Sequence, residues 1–170
     1  MRKTLLLVLS GLLALQAADA ATPSNCPDKH VFGLLENMAI WPENIQFEAK
    51  LDTGALTSSL DAKNIELFQR DGAKWVKFDV EGNRAGDTVS SHFERKVERT
   101  IRVRGAGGDD VRPAVLMQIC LGDKVYSEQF TLRDRGNMKY PVLIGERTLG
   151  HLGVVDVTQE HTLELACKGK

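Results

Sequence analysis

The chain predicts an all-β fold, and three observations carry that expectation. Short segments that alternate apolar with polar residues recur along it, the clearest setting Ile45, Phe47, Ala49 and Leu51 against Gln46, Glu48 and Lys50. Arg70-Asp71-Gly72-Ala73 separates two such segments, and Asp-Gly in that position is a strong hairpin signal. No stretch carries the period of a helix of ordinary length. Strands this short and this closely spaced belong to a barrel or a sandwich.

In chain order, Met1-Arg2-Lys3 is basic, Leu5 to Leu15 is nearly all apolar, and Ala18-Asp19-Ala20 is a small-x-small cleavage site. Residues 1–20 therefore read as a secretory signal peptide, with Ala21 as the mature start and a periplasmic or secreted location as the expectation. The apolar run is too short to span a bilayer, and Cys26 lacks an apolar lipidation box, so no membrane anchor is expected. Residues 21–30 read as a loose N-terminal arm and 31–167 as the folded domain.

Val31 to Ile40 is the first expected strand, and Trp41-Pro42-Glu43-Asn44 turns the chain into the alternating segment that ends at Asp52. Thr57 to Asp61 reads as a polar return, Ile65 to Gln69 and Lys74 to Val80 as a hairpin, and Glu81 to Ser91, with Gly82 and Gly86, as a loop. Val97 to Arg104 is a strand leading to the glycine-rich tip Gly105-Ala106-Gly107-Gly108. The core run to Leu121 and the strand Val125 to Leu132 follow. Then come a charged loop, Tyr140 to Gly145, one helical turn over Glu146 to Gly150, and closing strands at Gly153 to Val157 and Thr162 to Leu165.

A net charge of -1 leaves no basic stripe for nucleic acid. With three cysteines, at least one is free or pairs between chains. Cys120, inside an apolar run, reads as a buried small hydrophobe, and Cys26–Cys167 is the expected bond. The four histidines His30, His92, His151 and His161 show no metal-ligand spacing, and Gly105 to Asp110 lacks the lysine of a phosphate loop. Neither a metal nor ATP, nor any other cofactor, is expected. Ser58, His92 and Asp156 can be assembled into a triad on paper, but no nucleophile-elbow pattern supports it.

The chemistry concentrates at Asp52-Thr53-Gly54-Ala55. A rigid strand delivers an acid to a tight turn, Gly54 lets the backbone bend, and the Thr53 hydroxyl can fix it. About ninety residues later stands a second element, Val142-Leu143-Ile144-Gly145. These two pieces join Arg112-Pro113, Thr131 to Arg135, Tyr140-Pro141 and Val155-Asp156 in one order. The set is similar to a bacterial retropepsin-like aspartic peptidase family long labelled an ATP-dependent zinc protease, and the likeness covers roughly Phe32 to Thr158.

The resemblance implies a closed β-barrel with Asp52 as the catalytic acid. Leu143, Ile144 and Gly145 would support its turn, and Gly105, Ala106, Gly107 and Gly108 would form a flap over a peptide substrate. Aspartic peptidases need two carboxylates, and this chain holds one Asp-Thr-Gly, so a homodimer in which Asp52 meets Asp52 is implied. Thr53 would then bond across the twofold axis. In two places the chain departs from the family pattern: Glu146 stands where Arg usually follows the apolar-Gly strand, and Leu56 stands where relatives carry a polar residue. The alternative is a catalytically silent peptide-binding or regulatory module, which a Lys50–Asp52 ion pair would also favour.

Overall fold

The computed structural model describes residues 29–105 and 108–168. Its strands are β1 (His30–Ile40), β2 (Ile45–Asp52), β3 (Ser58–Asp61), β4 (Lys63–Arg70), β5 (Ala73–Arg84), β6 (Asp87–Lys96), β7 (Arg99–Gly105), β8 (Gly108–Leu121), β9 (Lys124–Arg133), β10 (Val142–Gly145) and, after helix α1 (Glu146–Leu152), β11 (Gly153–Glu160). Six of them close on themselves. β1 pairs with β8, β8 with β9, β9 with β3, β3 with β10, β10 with β2, and β2 returns to β1. The all-β expectation therefore resolves as a closed barrel, not a sandwich. The expected signal peptide, most of the expected arm, and Ala106 and Gly107 lie outside the described residues.

The barrel is held by what its alternating strands turn inward. Ile45, Phe47, Ala49 and Leu51 of β2 are between 0% and 6% exposed, and they meet Leu60, Phe130, Leu132, Val142 and Ile144 in one cluster. Each large side chain so buried contributes roughly 1.5–3 kcal/mol. The hairpin β4–β5 turns on Asp71 and Gly72, both at positive φ (51° and 73°), as the Asp-Gly pair predicts.

Three local expectations are corrected. Residues 81–91 are not a loop: β5 and β6 run through them and turn on Ala85 and Gly86, at φ 52° and 94°. Gly82 lies within β5, where a Cβ would come within 2.6 Å of Ile45 Cγ2 and 2.7 Å of Phe47 Cε1. The polar return at Thr57 to Asp61 contains a buried strand, β3, set between β9 and β10.

Residues 162–165 form no strand. They are held instead by Glu36, which is fully buried and accepts hydrogen bonds from the N–H groups of Gly33 (2.6 Å), Thr162 (3.2 Å) and Leu163 (3.3 Å), and from the Thr162 hydroxyl. A carboxylate can be buried at low cost when its lone pairs are taken up in this way.

The cysteine expectation also changes. Cys120 bonds Cys167, with Cα atoms 6.0 Å apart, and Cys26 lies outside the described residues. Long-range closure decided this, because the segment that Glu36 captures runs back over the β8–β9 turn, where Ala166 N–H donates to Gly122 O at 2.8 Å. The bond spans 47 residues, for which chain entropy gives about 4 kcal/mol. Replacing both cysteines by serine is expected to lower stability by about that much, read as a fall in the denaturant midpoint. An unchanged midpoint would show that the bond does not form in solution.

Surface carboxylates give the fold an acid limit. Asp79 is held below the ordinary carboxylate range by hydrogen bonds from Asn64 and then His92, Glu94 by Arg70, Asp134 by Lys63, and Asp156 by the side chains of Thr158 and Gln159. A lowered folded-state value contributes stability above the unfolded value, about 4, and that stability is lost as pH falls through the folded value. The denaturant midpoint is therefore expected to hold at about pH 5 and to drop by about pH 3.

Candidate active site

The Asp52-Thr53-Gly54 turn is built by three strands. β2 delivers Asp52 half-exposed at its end, one residue beyond fully buried Leu51. Asp52 Oδ1 accepts the Gly54 N–H at 3.1 Å, and Ala55 N–H donates to Asp52 O at 3.2 Å, so the acid and its turn fix each other. Thr53, Gly54 and Leu56 are exposed, Leu56 by 53%. β10 runs parallel to β2 with Gly145 opposite Asp52, and antiparallel to β3, with Leu143 opposite Ser59.

Gly145 is glycine for a steric reason. A Cβ there would lie 2.5 Å from Thr57 C, 2.7 Å from Ala55 O and 2.8 Å from Ser58 N, all backbone atoms that cannot swing aside. The turn is thus clasped directly against β10, and α1 continues the clasp. Glu146 N–H donates to Ala55 O at 2.7 Å and Arg147 N–H to Leu56 O at 3.3 Å. The Glu146 side chain is exposed, with no partner among the described residues, and within this chain main-chain bonds hold the turn.

Reading the sequence alone missed the layer beneath the clasp. Gly145 N–H donates to Ser58 Oγ at 3.0 Å, Ser58 Oγ shares a 2.9 Å bond with Thr148 Oγ1, and the Thr131 hydroxyl donates to Ser58 O at 2.9 Å. Ser58, Thr131 and Thr148 are 1%, 3% and 3% exposed. The available signal was that Ser58 and Thr148 are small hydroxyls flanking the two motifs. Their pairing across 90 residues was not readable.

Arg135, part of the Thr131 to Arg135 motif, had no role assigned from the sequence. It is buried, its N–H donates to Asp61 Oδ1 at 2.6 Å and its Nε to Tyr140 O at 3.1 Å. Burial, then the neighbouring Arg133, pulls its guanidinium below the ordinary value, while Asp61 and Asp52 act the other way. Arg112 and Arg133 stand nearby on β8 and β9, joined through Asp110 at 2.7 Å and 3.6 Å.

Of the expected flap residues, Gly105 and Gly108 oppose each other at the ends of β7 and β8, and Ala106 and Gly107 lie outside the described residues. Lys50 and Asp52 form no ion pair. Ser58, His92 and Asp156 are not brought together: Ser58 serves Gly145 and Thr148, His92 Nδ1 lies 2.8 Å from Asp79, and Asp156 binds Thr158 and Gln159.

Comparison with known proteins agrees with this layout. A family model described as retropepsin-like aspartic endopeptidase RimB matches residues 31–164. A probable alpha-L-glutamate ligase of Parasynechococcus marenigrum is 34% identical over 117 residues, and one of Desulfotalea psychrophila is 32% identical over 110. The matches cover 68% and 64% of this chain but only 25% and 24% of those proteins, so the chain spans about a quarter of their length. A crystal structure of a Legionella pneumophila protein of unknown function aligns with a TM-score of 0.67 at 30% identity, over 79% of this chain and 98% of that one.

Proposed function

This chain belongs to the RimB-like family of retropepsin-like aspartic endopeptidases, and from that membership we propose that it hydrolyses peptide bonds with a dyad of two Asp52 side chains from two copies of itself. The observation that carries the reading is the state of Asp52. It is fixed from below by Gly54 and Gly145 and half-open above, and no second carboxylate is bonded to it among the described residues. A twofold partner supplies the missing acid through a single isologous contact, which would also cover Leu56 and place Thr53 against its twin. Two carboxyls so placed share one proton. The ionised one draws a proton from water as the water attacks the carbonyl carbon, and the protonated one donates to the carbonyl oxygen. The β7–β8 hairpin would lie over the bound peptide as the flap.

The location proposed is the periplasm or the exterior, on the strength of the leader-like residues 1–20. For substrate, the name of the matched relatives supports a polypeptide bearing glutamate, whose carboxylates the part-exposed guanidinium of Arg133 would attract. The silent binding module is the second reading, favoured by the unpartnered Glu146.

Peptide-library cleavage by the purified chain separates the two. The endopeptidase is expected to cut internal bonds with a maximum in mildly acid solution, where one proton is retained by the pair, and to be unaffected by chelators. Absence of cleavage across the pH range would leave the binding module. Loss of cleavage with chelator would point to a metal.

A further inference from the structure

Beside the catalytic barrel lies a cavity of about 460 Å³ between β7, β8, β9 and α1, which the peptidase reading does not use. Its walls include Ser58, Arg99, Glu128, Arg147, Thr148 and His151. Glu128 lies deep in it, with its side chain only 13% exposed. A carboxylate can accept about four hydrogen bonds. Glu128 receives one long bond, from the Thr148 hydroxyl at 3.3 Å, and His151 Nδ1 approaches to 3.5 Å from a side chain that is 72% exposed. Most of the bonding capacity of this part-buried carboxylate is therefore left for a donor that enters the cavity. The hydroxyls behind it cannot supply more, because each has a single hydrogen. Thr148 gives its own to Glu128, so Ser58 gives its own to Thr148 and accepts from Gly145 N–H.

The rim has the opposite character. Arg147 is exposed and its guanidinium has no partner among the described residues. Arg99 spends Nε on Gln129 at 2.8 Å, and no further hydrogen bond or ion pair of its guanidinium is seen among the described residues. Leu116, 41% exposed, supplies an apolar wall. A part-buried acid and two arginines with bonding capacity to spare face one cavity, which is complementary to a zwitterion. We propose that this cavity is a binding site for a free α-amino acid, its ammonium on Glu128 and its carboxylate on Arg147 and Arg99. An ammonium brings three donors to the carboxylate, and a guanidinium grips a carboxylate in two-point fashion. The volume exceeds that of a single amino acid, so side chains of different size have room. Asp52 does not line the site, although Ser58 and Thr148 in its wall also support the Asp52 turn, and binding there does not depend on turnover.

The test is an NMR titration of the full chain with L-leucine and L-glutamate, following the backbone signals of Thr148 and His151. Saturable shifts are expected with both free amino acids. N-acetyl-leucine, which has no ammonium, and leucinamide, which has no carboxylate, should each bind tenfold or more weakly. Glu128→Gln should weaken leucine to the same degree, as should Arg147→Gln, which changes an exposed side chain. Should Glu128→Gln fail to fold, the two blocked ligands and Arg147→Gln still decide the matter. No saturable shift with either amino acid would overturn the proposal, as would equal binding of the blocked and free forms.

Discussion

Asp52→Asn is expected to abolish peptide cleavage, with a fall of at least about a thousandfold, while leaving the fold and its stability nearly unchanged. The asparagine keeps the shape of the side chain and can still accept the Gly54 N–H, now 3.1 Å from Asp52 Oδ1, so the turn should persist. What it removes is the ionisable oxygen that must take a proton from water. In a symmetric pair one substitution removes both members, so no residual acid can substitute. The measurement is the initial cleavage rate of the best library peptide, with circular dichroism and the denaturant midpoint as controls. A variant that retains more than about a tenth of the wild-type rate would move the chemistry away from Asp52.

Gly145→Ala is expected to damage both stability and activity. Its added methyl would sit 2.5–2.8 Å from three backbone atoms of the segment Ala55 to Ser58. Overpacking of this kind costs about 1–3 kcal/mol, and here the upper end is expected because no side chain can rotate out of the way. To relieve the clash, the turn must move off β10, carrying Asp52 away from its twin, and a displacement of about 1 Å at such a site can cost about a hundredfold in rate. Gly150→Ala is the internal control, since nothing lies within 4 Å of a Cβ there and the residue is in a helix. That change should be neutral or stabilising by up to about 1 kcal/mol. If the two variants behaved alike, the clasp would not be what positions the turn.

How much of this could be read from the chain depended on whether the signal was local. The β2 alternation, the Asp-Thr-Gly turn and the Asp71-Gly72 hairpin are local patterns, and the structure has all three where they were expected. β3 was hidden because Ser58 and Ser59 look like loop residues, yet both are buried, and Ser58 is tolerated there through its bonds to Gly145 and Thr148. The β5–β6 turn was hidden because Ala85 adopts a positive φ that its side chain does not advertise. Thr162 to Leu165 alternates like a strand, but its hydrogen bonds go to a buried glutamate 126 residues earlier in the chain. Arg135 and Thr148 carry no periodic signal at all. Except at the Ala85 turn, whose backbone angle is local, the deciding partner is remote in sequence.

The claim on which the rest stands is that one chain carries half of a catalytic pair, and mixing wild-type and Asp52→Asn chains tests it directly. After the chains are allowed to exchange, total activity should fall as the square of the wild-type fraction, reaching about a quarter at equal amounts, because only wild-type pairs hold both acids. A fall in simple proportion, to about a half, would mean that each chain works alone and would contradict the account.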